Sequence, residues 1–238
     1  GVDLNRNYSF MFGRNEQGSS SDPCAEDYRG TEAFSEPETQ AVRDYVTSHP
    51  TIVSAINIHT YGNAWVYPFN FVHDARNNLM KRQKPKFYNF YREFQLDMKA
   101  QGVESTFGNA QGTVQYPTNG EAGDWVTEMH NVINLDPELG DIDKRSHRFY
   151  PPKQAIPQIV QYNFFVFRSF FFRHVIDIRL HQVTRNPQKK TFTFALFNKS
   201  IGSLIDFTAH VTPKFGSRSR KLKANAKRKV PIEFQPWH

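Results

Sequence analysis

The sequence predicts an α/β domain, a β-sheet flanked by helices, over residues 1–176, followed by a small antiparallel β module over residues 177–238. Three observations carry that expectation. Apolar runs of strand length, Ile52–Ile58 and Val132–Leu135, alternate with amphipathic helical stretches. Past Asp177 the pattern changes to strand-like alternation in Thr191–Phe197, Leu204–Val211 and Val230–Phe234. Charge divides at the same place. From Asp177 onward thirteen Lys/Arg face three acids, giving +10, whereas residues 1–176 hold seventeen Lys/Arg and twenty acids, giving −3.

A chain of 238 residues with 22 Phe can bury a sizeable core. Its net charge of +7 therefore belongs to the tail, and no nucleic-acid partner is expected for the chain as a whole. The basic cluster from Arg218 to Lys229 would suit an acidic surface or another domain, although a solvated loop is the commoner outcome. Cys24, the single cysteine, cannot form an internal disulfide. The longest apolar stretch, Asn163–Phe172, is too short for a membrane span and is broken by Arg168. The chain begins at Gly1 with residues that read like the middle of a domain, so a fragment of a longer protein is expected.

Residues 1–30 are loop-like, and loops of that length usually carry function. Within them Asn5-Arg6 sets an amide beside a guanidinium fork, a pairing suited to a carboxylate. Ser35-Glu36-Pro37-Glu38 reads as a capping box, with Ser35 as N-cap of a helix that His49-Pro50 ends. The run Ile52–Ile58 follows as a buried strand and delivers His59 at its C-terminal end, where α/β sheets place ligands. A histidine there is either a metal ligand or a rim side chain bonded to backbone. Residues 75–101 read as one helix with an apolar stripe of Phe87, Phe90, Tyr91, Phe94 and Met98. Tyr116 then heads a turn-rich loop (Pro117, Asn119, Gly120, Gly123) that leads through Asp124-Trp125 to the strand Val132–Leu135, with Glu138 just past it. A strand-end carboxylate facing a mobile tyrosine is a common hydrolytic layout. Residues 156–176 form an apolar closing helix.

Five ordered motifs make the chain resemble the zinc metallocarboxypeptidases of the carboxypeptidase A/B type, over roughly residues 1–176. They are Gly1-Val2-Asp3-Leu4-Asn5-Arg6-Asn7-Tyr8, Pro23-Cys24-Ala25-Glu26-Asp27-Tyr28-Arg29-Gly30 with Ser35-Glu36, and Ile58-His59-Thr60-Tyr61. The others are Tyr116 with Asp124-Trp125 and Glu138, and Tyr150-Pro151-Pro152 leading to the last helix. The resemblance implies a twisted mixed β-sheet flanked by helices, here lacking its N-terminal part, with a small β-sandwich-like extension. It implies an exopeptidase that releases the C-terminal residue of peptides or proteins, working outside the cytoplasm. By the same resemblance His59 is one of three ligands of a single Zn2+ ion, and Glu138 is general base and then general acid. Asn5, Arg6 and Tyr116 bind the substrate's free carboxylate, and Tyr61 belongs to the substrate site.

The family's first two ligands come from a His-x-x-Glu motif upstream of the Asn-Arg segment, and no histidine in this chain has Glu three residues later. The fragment alone is thus expected to be inactive and metal-free. The alternative is a non-catalytic relative that binds peptide C-termini without metal. Resemblance also makes Gly123 part of the pocket for the last side chain, leaving it free of charge or bulk there. Asp136, two residues before Glu138 and on the same strand face, could pair with a terminal Lys or Arg, with help from Glu121.

Overall fold

The computed structural model describes residues 1–140 and 149–175, and beyond them the strands at 178–186, 191–198, 207–211, 220–224 and 230–234. The chain divides into two compact units, Gly1–Phe167 and Arg168–His238. In chain order the elements are α1 (Pro37–Ser48), β1 (Ser54–Ile56), β2 (His59–Thr60), β3 (Ala64–Val66), α2 (Asn78–Gln83) and α3 (Pro85–Ala100). Then come β4 (Thr106–Gly108), α4 (Ala110–Thr113), α5 (Ala122–Met129), β5 (Ile133–Leu139) and α6 (Ile156–Val175). Short 3-10 turns cover Leu4–Arg6 and Lys153–Ala155.

The first unit is built on a mixed sheet in the order β1-β5-β3-β4, with β2 also pairing β5. Strand β5 is its centre. It runs parallel to β1 through Ile133–Leu135 and parallel to β2 through Glu138–Leu139, and antiparallel to β3 on its other side. Both faces of such a strand are covered, which explains why Val132, Ile133 and Leu135 are apolar on both sides of the buried Asn134. Val132, Ile133 and Leu135 are at most 1 % exposed.

Helix α3 packs its whole predicted stripe, Phe87, Phe90, Tyr91, Phe94 and Met98, into the core. Tyr91 stacks on Tyr67 at 4.4 Å between ring centroids. Its hydroxyl donates to Asn134 O (2.8 Å) and accepts from Asn134 N (3.1 Å). The helix thereby clamps β5 two residues before Asp136. Trp65 of β3 meets Phe167 edge-on at 5.2 Å, and the Tyr162 hydroxyl accepts from Glu104 N and Ser105 N. A second aromatic group, Tyr8, Phe34 and Trp125, ties the N-terminal loop to α5 with centroid separations of 5.4–5.5 Å.

Four local expectations change. The capping box does not form: Glu36 is the N-cap of α1 and no side chain caps it. Ser35 Oγ instead donates to Glu36 Oε1 and accepts from Asn7 Nδ2, so a tertiary bond captures the hydroxyl. Residues 75–101 form two helices, because Pro85 cannot donate its backbone to α2 and opens α3 at Lys84. Asp124-Trp125 lie inside helix α5 rather than in a loop. Strand β5 reaches Leu139, so Glu138 sits within the strand.

The second unit holds the C-terminal end of α6 and two antiparallel sheets, one ordered β10-β7-β6 and one pairing β8 with β9. Their strands are β6 (Ile178–Asn186), β7 (Thr191–Asn198), β8 (Phe207–Val211), β9 (Arg220–Ala224) and β10 (Val230–Phe234). Part of the basic cluster is thus strand β9; residues 204–206, 218–219 and 225–229 lie outside the described residues. Among the described residues no helix is long and apolar enough to cross a membrane.

Candidate active site

Strand β2 is only two residues long, yet its register decides the site: His59 lies directly opposite Glu138. From the other side of β5, Ala64 opposes the same Glu138. Burial, reinforced by the charge of Glu121 and opposed by Arg6, pushes the Glu138 carboxyl up to about 7. A group near that value holds and releases a proton at neutral pH, as a general base and acid must. Burial lowers His59, with Glu121 and Asp3 opposing and Arg6 assisting. The imidazole is therefore neutral at pH 7. Asn57 Nδ2 donates to its Nε2 at 2.7 Å.

The N-terminal loop approaches this strand end from α5. Asp3 Oδ1 accepts from Asn5 N (2.9 Å), closing the 3-10 turn, and Asn5 Oδ1 accepts from Ala122 N (3.0 Å) at the start of α5. The turn aims Arg6 inward. Its Nη1 donates to Asn5 O (2.8 Å) and lies 3.8 Å from Asp3 Oδ2, while its buried Nε has no partner. Behind it, Gly120 holds φ +68°, and a Cβ there would lie 2.4 Å from Arg6 O. Only glycine fits that approach. Gly120→Ala is expected to cost about 1–3 kcal/mol, read as a lower urea midpoint, because the Arg6 backbone must retreat.

Asn5, Arg6, His59, Tyr116, Asp136 and Glu138 all line one cavity of about 730 Å³. Tyr116 is 49 % exposed on its rim, and burial raises its hydroxyl pKa with Arg6 opposing. Tyr61 lines the cavity too, edge-on to Phe149 at 4.8 Å. Gly123 is placed differently. It is buried in α5 and not among the cavity's lining residues, and the space its side chain would fill is taken by Asp136 and Asn134. Asp3, which faces Arg6, and Asn57, which bonds to His59, join the site only in the folded structure. The signal for Asn57 was its place two residues before His59 in an extended run.

One imidazole is short of the three protein ligands of a catalytic zinc. Among the described residues no group of three His, Cys, Asp or Glu side chains could hold a metal ion. The residues present thus do not make a zinc site by themselves.

The profile of the zinc carboxypeptidases matches residues 1–166. The chain belongs to the zinc carboxypeptidase family. It is 32 % identical over 158 residues to Homo sapiens carboxypeptidase A5, covering 66 % of this chain and 34 % of that protein. It is 30 % identical over 163 residues to Bos taurus carboxypeptidase B, covering 66 % and 36 %. The chain thus spans about a third of the length of these carboxypeptidases. Bovine thrombin-activatable fibrinolysis inhibitor, solved with tick carboxypeptidase inhibitor, superposes with TM-score 0.59 at 25 % identity, over 74 % of this chain and 58 % of that one. Carboxypeptidase A from Helicoverpa armigera shares the fold, with TM-score 0.52 at 23 % identity over 71 % and 40 %.

Proposed function

We propose that the protein carrying this chain is a carboxypeptidase that releases the C-terminal residue of peptides or proteins. The observation that carries the reading is the register of β2 on β5, which sets the neutral His59 opposite the half-buried Glu138. Arg6, Asn5 and Tyr116 on the same cavity supply what an exopeptidase adds to a hydrolytic centre: donors for a free carboxylate. In this reading the Arg6 guanidinium and the Asn5 amide grip the carboxylate, and Tyr116 closes from the rim. Glu138 takes a proton from the attacking water and returns it to the leaving amine. Zinc is the cofactor proposed for the full-length protein, with His59 as one ligand and two others from elsewhere in it; bound zinc would supply a Lewis acid. An extracytoplasmic place of action belongs to the same proposal and rests on the family alone.

Full-length protein should cleave hippuryl-amino acids with a free terminus and spare their C-terminal amides. Arg6→Ala should lower kcat/KM for the free acids roughly 10–100-fold, the worth of a hydrogen bond to a charged group. Equal cleavage of acid and amide would overturn the exopeptidase reading. A second reading, a metal-free binder of peptide C-termini, is favoured because no group of three His, Cys, Asp or Glu side chains among the described residues could hold a metal ion. It predicts free-acid binding that survives chelation, with no turnover in added zinc.

A further inference from the structure

The outer face of α6 differs from that of the other long helices. A surface helix ordinarily turns charged and polar residues to solvent. The exposed positions of α1 include Glu38 and Asp44, and those of α3 include Lys86, Arg92 and Lys99. Along α6 from Ile156 to Phe165, every exposed position is Ile, Pro, Gln, Val or Phe, and none is charged. Val160 is 59 % exposed, Phe164 64 % and Phe165 40 %.

The way the helix is held leaves this face outward. Val160 and Phe164, four residues apart, share one side, while Tyr162, two residues from each, lies on the other. The Tyr162 hydroxyl accepts from Glu104 N and Ser105 N, and Val166, two residues past Phe164, is fully buried. Just before the helix, Tyr150 is 87 % exposed and Lys153 is exposed beside it. From Phe149 to Val175 the sequence holds three Lys/Arg and no Asp or Glu, within a stretch, residues 1–176, whose net charge is −3. The apolar face is thus accompanied by cations and by no acid of its own segment.

Single exposed apolar side chains are ordinary, but a row of them on an uncharged helix face marks a contact surface. A second copy of the chain fits poorly. Val160, Phe164 and Phe165 together expose roughly 300 Å², well short of the about 800 Å² that each partner of a stable dimer buries. A lipid surface asks for less: a few apolar side chains at the headgroup boundary, with cations beside them for anionic phosphates. Among the described residues no helix is long and apolar enough to cross a membrane, so the contact is one of lying on the surface. We propose that the outer face of α6 seats the protein on an anionic phospholipid surface, with Val160, Phe164 and Phe165 entering the headgroup boundary and Lys153 beside the lipid phosphates. This seat does not depend on the carboxypeptidase reading.

Sedimentation with vesicles tests this on the full-length protein, using phosphatidylcholine with and without phosphatidylserine. Vesicles containing phosphatidylserine should bind at least tenfold more tightly than pure phosphatidylcholine. Phe164→Ser should weaken that binding at least fivefold, and Val160→Ser serves as the second variant if Phe164→Ser does not fold. Lys153→Ala should weaken it about fivefold, the worth of one cation at such a surface. Leu96→Ser, which removes a side chain 57 % exposed on α3, should leave it unchanged. Phe164→Trp keeps the apolar side chain and reports its depth: brominated phosphatidylcholine in the bound vesicles should quench the added fluorescence. Absence of vesicle binding would overturn the seat. Binding unmoved in folded Phe164→Ser, or fluorescence that lipid bromine does not quench, would assign the contact to other cations of the chain and overturn it too. A dimer that Phe164→Ser disperses, without vesicle binding, would give the face to a second copy instead.

Discussion

Glu138→Gln should lower kcat of the full-length protein by about 10²–10⁴, the usual contribution of a positioned general base and acid. The amide keeps the shape of the carboxyl and loses only its ability to carry the proton. In the unaltered protein kcat/KM should rise with pH through about 7, as Glu138 gives up its proton. That ascending limb should vanish in Glu138→Gln; an unchanged limb would assign it to another group. Stability runs the other way. The folded-state value of about 7 lies above the ordinary 4.5, so the folded protein holds this proton more tightly than the unfolded chain does. Stability from this carboxyl is fully present below about 4.5 and is lost as pH rises through about 7. Urea midpoints across that window should fall less for Glu138→Gln than for the unaltered chain.

Asn7→Ala should unfold the protein most readily of the single substitutions considered. Asn7 is fully buried. Its Nδ2 lies within 3.0 Å of Arg29 O, Glu32 O and Ser35 Oγ, and its Oδ1 accepts from Thr39 Oγ1 (2.7 Å) and Glu36 N (3.3 Å). One amide thus ties the Asn5-Arg6 loop to the approach and first turn of α1. Its removal orphans several buried groups at once, at roughly 1–3 kcal/mol for each left unsatisfied, so a loss of about 3 kcal/mol or more is expected. For a chain of this size that is a fall in Tm of roughly 6–12 °C. Thr39→Val deletes a single partner and should cost about 1 kcal/mol. Equal effects from the two variants would show that Asn7 is not the hub.

Some of the site was legible because it is local. His59 ends an apolar run, Glu138 follows one, and Asn5-Arg6 are neighbours, so residue type and place in an element identified them. The aromatic stripe of α3 was legible for the same reason, since helical spacing alone puts those five side chains on one face. The Ser35 capping box looked equally local and did not form, because Asn7, 28 residues away, takes the same hydroxyl. Propensity describes what a segment can do by itself, and a buried amide in need of partners outweighs it.

The sequence by itself determined the family, the α/β class, the main core residues and the order of the chemistry-bearing side chains. These follow from spacing and side-chain type, which are properties of short segments. The tertiary structure alone decided that His59 and Glu138, 79 residues apart, share one register, and that Asp136 fills the space Gly123 leaves. Pairing register and close approach depend on which distant segments meet, and each depends on contacts that no local pattern encodes.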